Sequence, residues 1–267
     1  MTQKQSDEEL TLFSRLFKGY EEAHGKYEIT HTETGGKVLG RAVTYTRAAS
    51  SEDYHNHLLG KVGIGIIPLL KNDKCYFGAI DIDIKGDTKL SESLEDLEKK
   101  VRLLNMPLML FRSKSGGAHL YLFAKEPISA RLVQKRLSEF ADELGYGGCE
   151  VFPKQVTRLR TIDAGNWINI PLFGEERYAI YEGNKLNTKT ALKTCEFLSV
   201  TEEQLIGFKI ERNDFFADGP PCLQTIVRMG IGEGSRNNIL MAVAVYMKYK
   251  HGDDWQENLI AFNEVIS

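Results

Sequence analysis

The segment YFGAIDIDI, residues 76–84, limits the fold more than any other stretch of the 267-residue chain. Its residues alternate with the period of two of a β-strand. That puts Tyr76, Gly78, Ile80, Ile82 and Ile84 on one face and Phe77, Ala79, Asp81 and Asp83 on the other. The isoleucine face needs an apolar cover, whereas the opposite face ends in two carboxylates roughly 6 to 7 Å apart, from a rise of ~3.3 Å per residue. Two anions so placed on a half-buried sheet repel each other unless water, basic groups or cations neutralise them. An Asp-x-Asp on a strand is equally the pattern of a plain solvated face, so other segments must decide its meaning.

Around this strand the chain alternates. Further strands are expected near 38–45, 62–68, 108–112, 118–124 and 149–152. LTLFSRLFKGYEEAHG carries Leu10, Phe13, Leu16, Phe17 and Tyr20 at the spacing of one helical face. SESLEDLEKKVRLL does the same with Leu94, Leu97, Val101 and Leu104, and SARLVQKRLSEFADELG with Val133, Leu137, Phe140 and Leu144. Ser129 is the expected cap of that last helix and Gly145 its end. After residue 181 the strand signal fades, and Gly219-Pro220-Pro221 precedes a helical run. The expected organisation is a mixed α/β (α+β) domain over residues 1–200 and a small helical domain over 201–267.

Composition removes several function classes. At 42% hydrophobic the chain can bury a substantial core, yet no stretch approaches the ~18 apolar residues of a membrane span. The polar start MTQKQSDEEL is unlike a signal peptide, so a cytoplasmic location is expected. Cys75, Cys149, Cys195 and Cys222 form no C-x-x-C pair, which predicts buried, reduced thiols and neither zinc nor disulfides. No G-x-x-x-x-G-K-[ST] loop is present, which excludes a P-loop motor. With a net charge of -3, any contact with nucleic acid must come from a local basic patch.

Three further segments supply such a patch and more acid. In FRSKSGGAHLYLF a donor-rich turn joins two strands. Gly116 and Gly117 let backbone N–H groups approach a phosphate, Ser113 and Ser115 add hydroxyls, Arg112 and Lys114 add charge, and His119 enters the outgoing strand. GGCEVFPKQ offers a third carboxylate, Glu150, with Lys154 at the strand's exit. TRLRTIDAGNWINIPLFG adds Arg158, Arg160 and the amide of Asn166, and assigns Trp167 to the core. Carboxylate oxygens suit Mg²⁺ or Mn²⁺, and a pair of such ions can activate an attacking hydroxyl while stabilising a leaving pyrophosphate.

Other suggestive letters read more simply. His55-Asn56-His57 lacks the context of a nuclease metal site, Arg236 sits where helix capping explains the segment, and Arg131, Lys135 and Arg136 fit a solvated helix face.

In order and type, Asp81-x-Asp83, then Ser115-Gly-Gly-Ala-His119, then Glu150 resembles the three motifs of archaeo-eukaryotic primases. HLLGKVGIGIIPLLKNDKCYFGAIDID, EVFPKQ and GNWINIPLFG look like primases of TOTE conflict systems and related phage or plasmid primase-polymerases, over most of residues 10–180. The resemblance implies a catalytic core with an RRM-like, mostly antiparallel sheet. It also implies an enzyme, a DNA primase/polymerase-type nucleotidyltransferase. Asp81, Asp83 and Glu150 would hold two Mg²⁺ or Mn²⁺ ions, and Ser115 and His119 would contact the incoming nucleotide's phosphates. Arg112, Ser113, Lys114, Lys154, Arg158, Arg160 and Asn166 would be lesser nucleotide contacts. The implied partners are a DNA template and primer, dNTP or NTP substrates, and a helicase fused or in trans. The tail from Pro220 resembles the helical segment that often precedes such a helicase, which implies continuation beyond Ser267. The absence of a zinc-binding cluster makes primer extension the more direct implication than initiation. A partner-dependent binding module and a two-metal nuclease are the alternative readings.

Overall fold

The computed structural model describes residues 3–32, 38–82, 94–158, 164–210, 216, 219–224 and 236–265, and the chain divides into two compact units, Met1–Lys209 and Ile210–Ser267.

The first unit is built on two sheets. Helix α1 (Gln3–Leu16) leads into β1 (His24–Thr32) and β2 (Val38–Tyr45), then α2 (Ser51–Leu58) and β3 (Ile64–Ile66). β4 (Lys74–Ile82), α3 (Leu94–Leu103), β5 (Met109–Arg112), β6 (Ala118–Ser129), α4 (Ala130–Leu144) and β7 (Glu150–Phe152) follow. The unit closes with β8 (Ile168–Asn169), β9 (Ala179–Tyr181), β10 (Asn184–Leu186), α5 (Thr188–Leu198) and α6 (Glu202–Gly207). One sheet has the order β2-β1-β3-β8 and the other β10-β9-β5-β6-β4-β7, and every named strand pair is antiparallel. This is the α/β class expected from the sequence, with the acidic strand β4 placed inside the larger sheet.

The alternation in β4 does what its pattern requires. Phe77 and Ala79 join Met109, Phe111, Tyr121, Phe123 and Phe152 in a core that also takes Phe13 and Phe17 of α1, Ile64 and Ile66 of β3, and Ile168. The other face of β4 packs on α4. A Cβ at Gly78 would lie 2.5 Å from Val133 Cγ1 and 2.7 Å from Leu137 Cδ1, so glycine is what lets that helix close on the strand. Asp81 thus ends the strand face that looks inward, toward the smaller sheet.

Tertiary context changed several local expectations. Gly145 ends α4 in the left-handed conformation at φ 88°, as expected, but Ser129 makes no side-chain cap bond and is instead the last residue of β6, paired with Lys74. Arg136 does not lie on a solvated face. Its guanidinium donates to the carbonyls of Leu205, Ile206 and Phe208 at 2.9, 3.0 and 2.6 Å. That grip holds α6 to α4 within the first unit, which runs to Lys209. Strand β1 and helix α2 carry no clear sequence signal yet are well formed. α2 opens with a capping box between Ser50 and Asp53, and Asp53 also accepts from Lys26 at 2.6 Å and from Arg47 at 2.6 Å. His57, from the His-Asn-His letters, is fully buried: Nδ1 accepts from Ile64 N–H at 3.1 Å and Nε2 donates to Pro171 O at 2.8 Å. Burial pushes its pKa down to about 3, and both nitrogens serve the fold.

Among the described residues, Cys75 and Cys195 are buried as expected, whereas Cys149 is half-buried and Cys222 exposed; none of the four forms a disulfide. No described helix is long and apolar enough to cross a membrane. In the second unit, helices Arg236–His251 and Trp255–Val265 pack around Phe216, Leu223, Val243, Met247 and Phe262.

Candidate active site

The register of the larger sheet lines up the motif residues. Asp81 of β4 is directly opposite His119 of β6 on one side and Glu150 of β7 on the other, while His119 is opposite Phe111 of β5. Directly opposed residues of antiparallel strands share a face, so Phe111, His119, Asp81 and Glu150 form one row across four strands. Three motifs separated by tens of residues are thereby brought side by side. His119 Nε2 lies 3.0 Å from Asp81 Oδ1. The pair lacks hydrogen-bond alignment, however, and Asp81 Oδ1 is a buried polar atom without a hydrogen-bond partner among the described residues. A carboxylate oxygen so left is costly unless a cation completes it.

Tyr121 lies under this row, two residues along β6 from His119. It is fully buried, its hydroxyl donates to Asn169 O of β8 at 2.9 Å, and burial together with the nearby Asp81 carboxylate raises its pKa well above the ordinary phenol value. Its ring meets those of Phe17, Phe77 and Phe111 edge-on or tilted. Arg177, also buried, donates to Ile170 O at 3.1 Å and stacks on Phe173, and burial lowers its pKa. The alternation His119, Tyr121, Phe123 places Tyr121 on the face of His119 from sequence alone, but nothing local marks Arg177 as buried.

The turn between β5 and β6 closes over the end of the row. Ser113 N–H donates to Gly117 O at 2.8 Å and Gly116 N–H to Ser113 O at 3.2 Å, while the hydroxyls of Ser113 and Ser115 lie 3.1 Å apart. The Gly116 N–H expected to face a phosphate is therefore used inside the turn. The two glycines have different reasons. Gly116 adopts φ 93°, whereas a Cβ on Gly117 would sit 2.3 Å from Ile82 O, so Gly117 is what lets the turn touch the last residue of β4. Arg112 donates to Glu176 O at 3.2 Å with its guanidinium beside Gly116, and Lys114 Nζ lies 3.9 Å from the centre of the Tyr27 ring on β1. The turn thus spans from the acidic strand to the smaller sheet.

The remaining candidates separate. Lys154 Nζ holds Glu150 Oε2 at 2.8 Å, which places both at the end of the row. Arg158 is occupied by the fold: its N–H donates to Asp73, its guanidinium donates to Leu69 O and Ala164 O, and it lies 3.6 Å over the Tyr20 ring. Asn166 is exposed and accepts from Gln155 Nε2 at 2.6 Å. Asp83 and Arg160 lie outside the described residues, as does the side chain of Arg236. No three His, Cys, Asp or Glu side chains among the described residues gather as a metal cluster. A cavity of about 290 Å³ lined by Val101, Leu108, Phe197 and Val200, among others, contains no residue of the row.

Residues 8–184 match the model of the archaeo-eukaryotic primase domain of TOTE conflict systems, two thirds of the chain. The chain belongs to this family. The matched stretch includes every residue of the row, all of the smaller sheet and all of the larger one but the end of β10. Two solved structures are similar at 12% identity. One is the archaeo-eukaryotic primase domain of the cyanophage S-2L primase-polymerase, with TM-score 0.36, covering 71% of this chain and 97% of that one. The other is the catalytic domain of primase Repb' in complex with initiator DNA, with TM-score 0.33, covering 71% and 94%. No curated protein matches the chain.

Proposed function

We propose that this primase domain is a template-dependent nucleotidyltransferase that adds nucleotides to a primer 3′-hydroxyl. The observation that carries the reading is the row Glu150, Asp81, His119, in which Asp81 Oδ1 is buried and unbonded at the mouth of a serine- and glycine-rich turn.

Asp81 and Glu150, with Asp83, are the residues that would hold Mg²⁺ or Mn²⁺. When bound, the ions would supply charge neutralisation to the attacking hydroxyl and the leaving pyrophosphate. The chain's own residues do the positioning. His119, held beside Asp81 by the register, presents its ring to a phosphate oxygen arriving at the row. Ser113 and Ser115 offer hydroxyls from the turn, and Arg112 and Lys114 set a positive rim on a chain whose net charge is -3. Lys154 neutralises Glu150 at 2.8 Å, and would be free to meet substrate phosphate if a cation were held at that carboxylate. Arg158 acts one step away, fixing the segment that carries Asn166 through its bonds to Leu69 and Ala164. The DNA template selects the base, and dNTPs or NTPs are the substrates.

The test is extension of a labelled primer on a DNA template with dNTPs or NTPs and Mg²⁺ or Mn²⁺, wild type against Asp81→Asn. The substitution keeps the shape and removes the charge. Loss of extension by at least about a hundredfold is expected, the scale of removing one group that stabilises transition-state charge. Equal rates would sink the proposal.

A further inference from the structure

Trp167 has an unusual seat. On the smaller sheet, alternation puts Ile64 and Ile66 into the shared core and turns Gly25, Tyr27 and Gly65 to the opposite face. Gly25 and Gly65 are direct partners across β1 and β3. Each is a glycine because of the indole. A Cβ at Gly25 would lie 2.2 Å from Trp167 Cδ2, and one at Gly65 would lie 2.0 Å from its Cε3, inside the ring in both cases. Neither has the positive φ that would otherwise demand glycine. Glycines inside strands weaken a sheet, and a side chain placed only for packing would be served by aliphatic neighbours. Two of them, side by side, make a flat bed that fixes the ring plane against backbone.

The ring is not sealed. Trp167 is half-buried rather than part of the core, and the residue before it, Asn166, is exposed and tied to Gln155. Its face of the smaller sheet is the one turned away from the shared core, and the turn that follows β5 reaches it. Tyr27 follows Gly25 by two residues on the same face, and Lys114 of the β5–β6 turn rests on Tyr27. A group anchored by its phosphates at that turn has this aromatic strip within reach.

We propose that Trp167, held flat on Gly25 and Gly65, is a stacking platform for a nucleobase. The claim rests on the reading of the site as nucleotide-handling only for the identity of the ligand. Base–aromatic stacking is tolerant of sequence, because every base has a π-face, and that suits a protein in which pairing with a template chooses the base. A base on the indole would hold its nucleotide at two points, phosphates at the turn and base on the outer face of the smaller sheet.

The chain has two tryptophans, so a Trp255→Phe background leaves Trp167 as the only indole fluorophore. Full-length protein in that background is titrated with dATP, with a single-stranded DNA 12-mer and with tripolyphosphate, in Mg²⁺. Quenching by a base-bearing ligand and not by tripolyphosphate is expected. Quenching by dATP assigns the platform to the incoming nucleotide, and quenching by the oligonucleotide alone assigns it to a strand of the nucleic acid. Trp167→Ala should weaken binding of that ligand roughly five- to hundredfold, with tripolyphosphate binding unchanged. If the alanine variant does not fold, Trp167→Leu covers the glycines without stacking and should show the same loss. Absence of quenching by either base-bearing ligand, equal quenching by tripolyphosphate, or unchanged affinity in a folded variant would overturn the proposal. Wild type that quenches but extends no primer refutes the polymerase reading and leaves the platform standing. Wild type that extends primers with no response at Trp167 refutes the platform alone.

Discussion

Gly117→Ala is the substitution that most directly probes how the turn is placed. The new Cβ would stand 2.3 Å from Ile82 O and 3.2 Å from Ser113 Oγ. A carbon and a carbonyl oxygen settle at about 3.3 Å or more, so the turn and the end of β4 must part by roughly 1 Å. The obstacle is backbone on a central strand and cannot swing away as a side-chain tip would. Overpacking of this kind costs about 1 to 3 kcal/mol, and for a unit of this size each kcal/mol lowers Tm by roughly 2 to 4 °C, giving a fall of about 2 to 12 °C. A 1 Å displacement between Ser115 and the Asp81 row should also slow nucleotide addition on the order of a hundredfold. Calorimetry and single-nucleotide primer extension measure the two effects. Gly116→Ala is the matched control. Its φ of 93° makes alanine strained, by about 1 to 2 kcal/mol, but its nearest neighbour is Arg112 Nη2 at 3.6 Å, so stability should fall with less effect on rate. If Gly117→Ala melted and extended like wild type, the contact between the turn and β4 would not be what positions the site.

Other consequences are simpler to state. Arg136→Met removes three guanidinium bonds to the carbonyls of Leu205, Ile206 and Phe208 and should destabilise the first unit by about 2 to 3 kcal/mol in urea denaturation, with faster proteolysis near residue 207. Stability should decline on acidification below neutral pH. His57 has a folded pKa pushed down to about 3 while the unfolded ring titrates near 6.5, so the unfolded chain binds the extra proton. Its contribution is complete above pH ~6.5 and falls by about 1.4 kcal/mol per pH unit below that until pH ~3. His24, whose pKa burial also lowers, adds to the same slope, and His57→Gln should flatten it between pH 7 and 5 in urea midpoints.

How much could be read in advance follows from where each signal resides. Strong amphipathic periodicity announced α3, α4 and β4, because burial of one face dictates it locally, and β4's alternation fixed which face Asp81 would take. The register that sets Asp81 opposite both His119 and Glu150 is a property of three strands and lies in none of them singly. β1 was hidden for a related reason: HGKYEITHT mixes charges and glycine on its faces, since one side must leave room for Trp167 and the other carries Lys26 toward Asp53. The arginines show the limit most plainly: Arg136 reads as solvated and Arg158 as a lesser nucleotide contact, and each guanidinium donates to backbone carbonyls that sequence alone does not bring near. Trp167 was assigned to the core because a large aromatic usually belongs there, and only its two glycine neighbours in space reveal a different seat.

The hydrogen bond from Tyr121 to Asn169 O works as a strut. It joins the larger sheet to the smaller one two residues from the row of Asp81, and the aromatic core around Phe17 surrounds it. The spacing of the two sheets is therefore fixed: spreading them would strip a buried phenol of its acceptor and open a crevice among packed rings. With the two sheets pinned at that spacing, Asp81 and the Ser113–Gly117 turn that touches the end of its strand are held on a frame that does not depend on either of them.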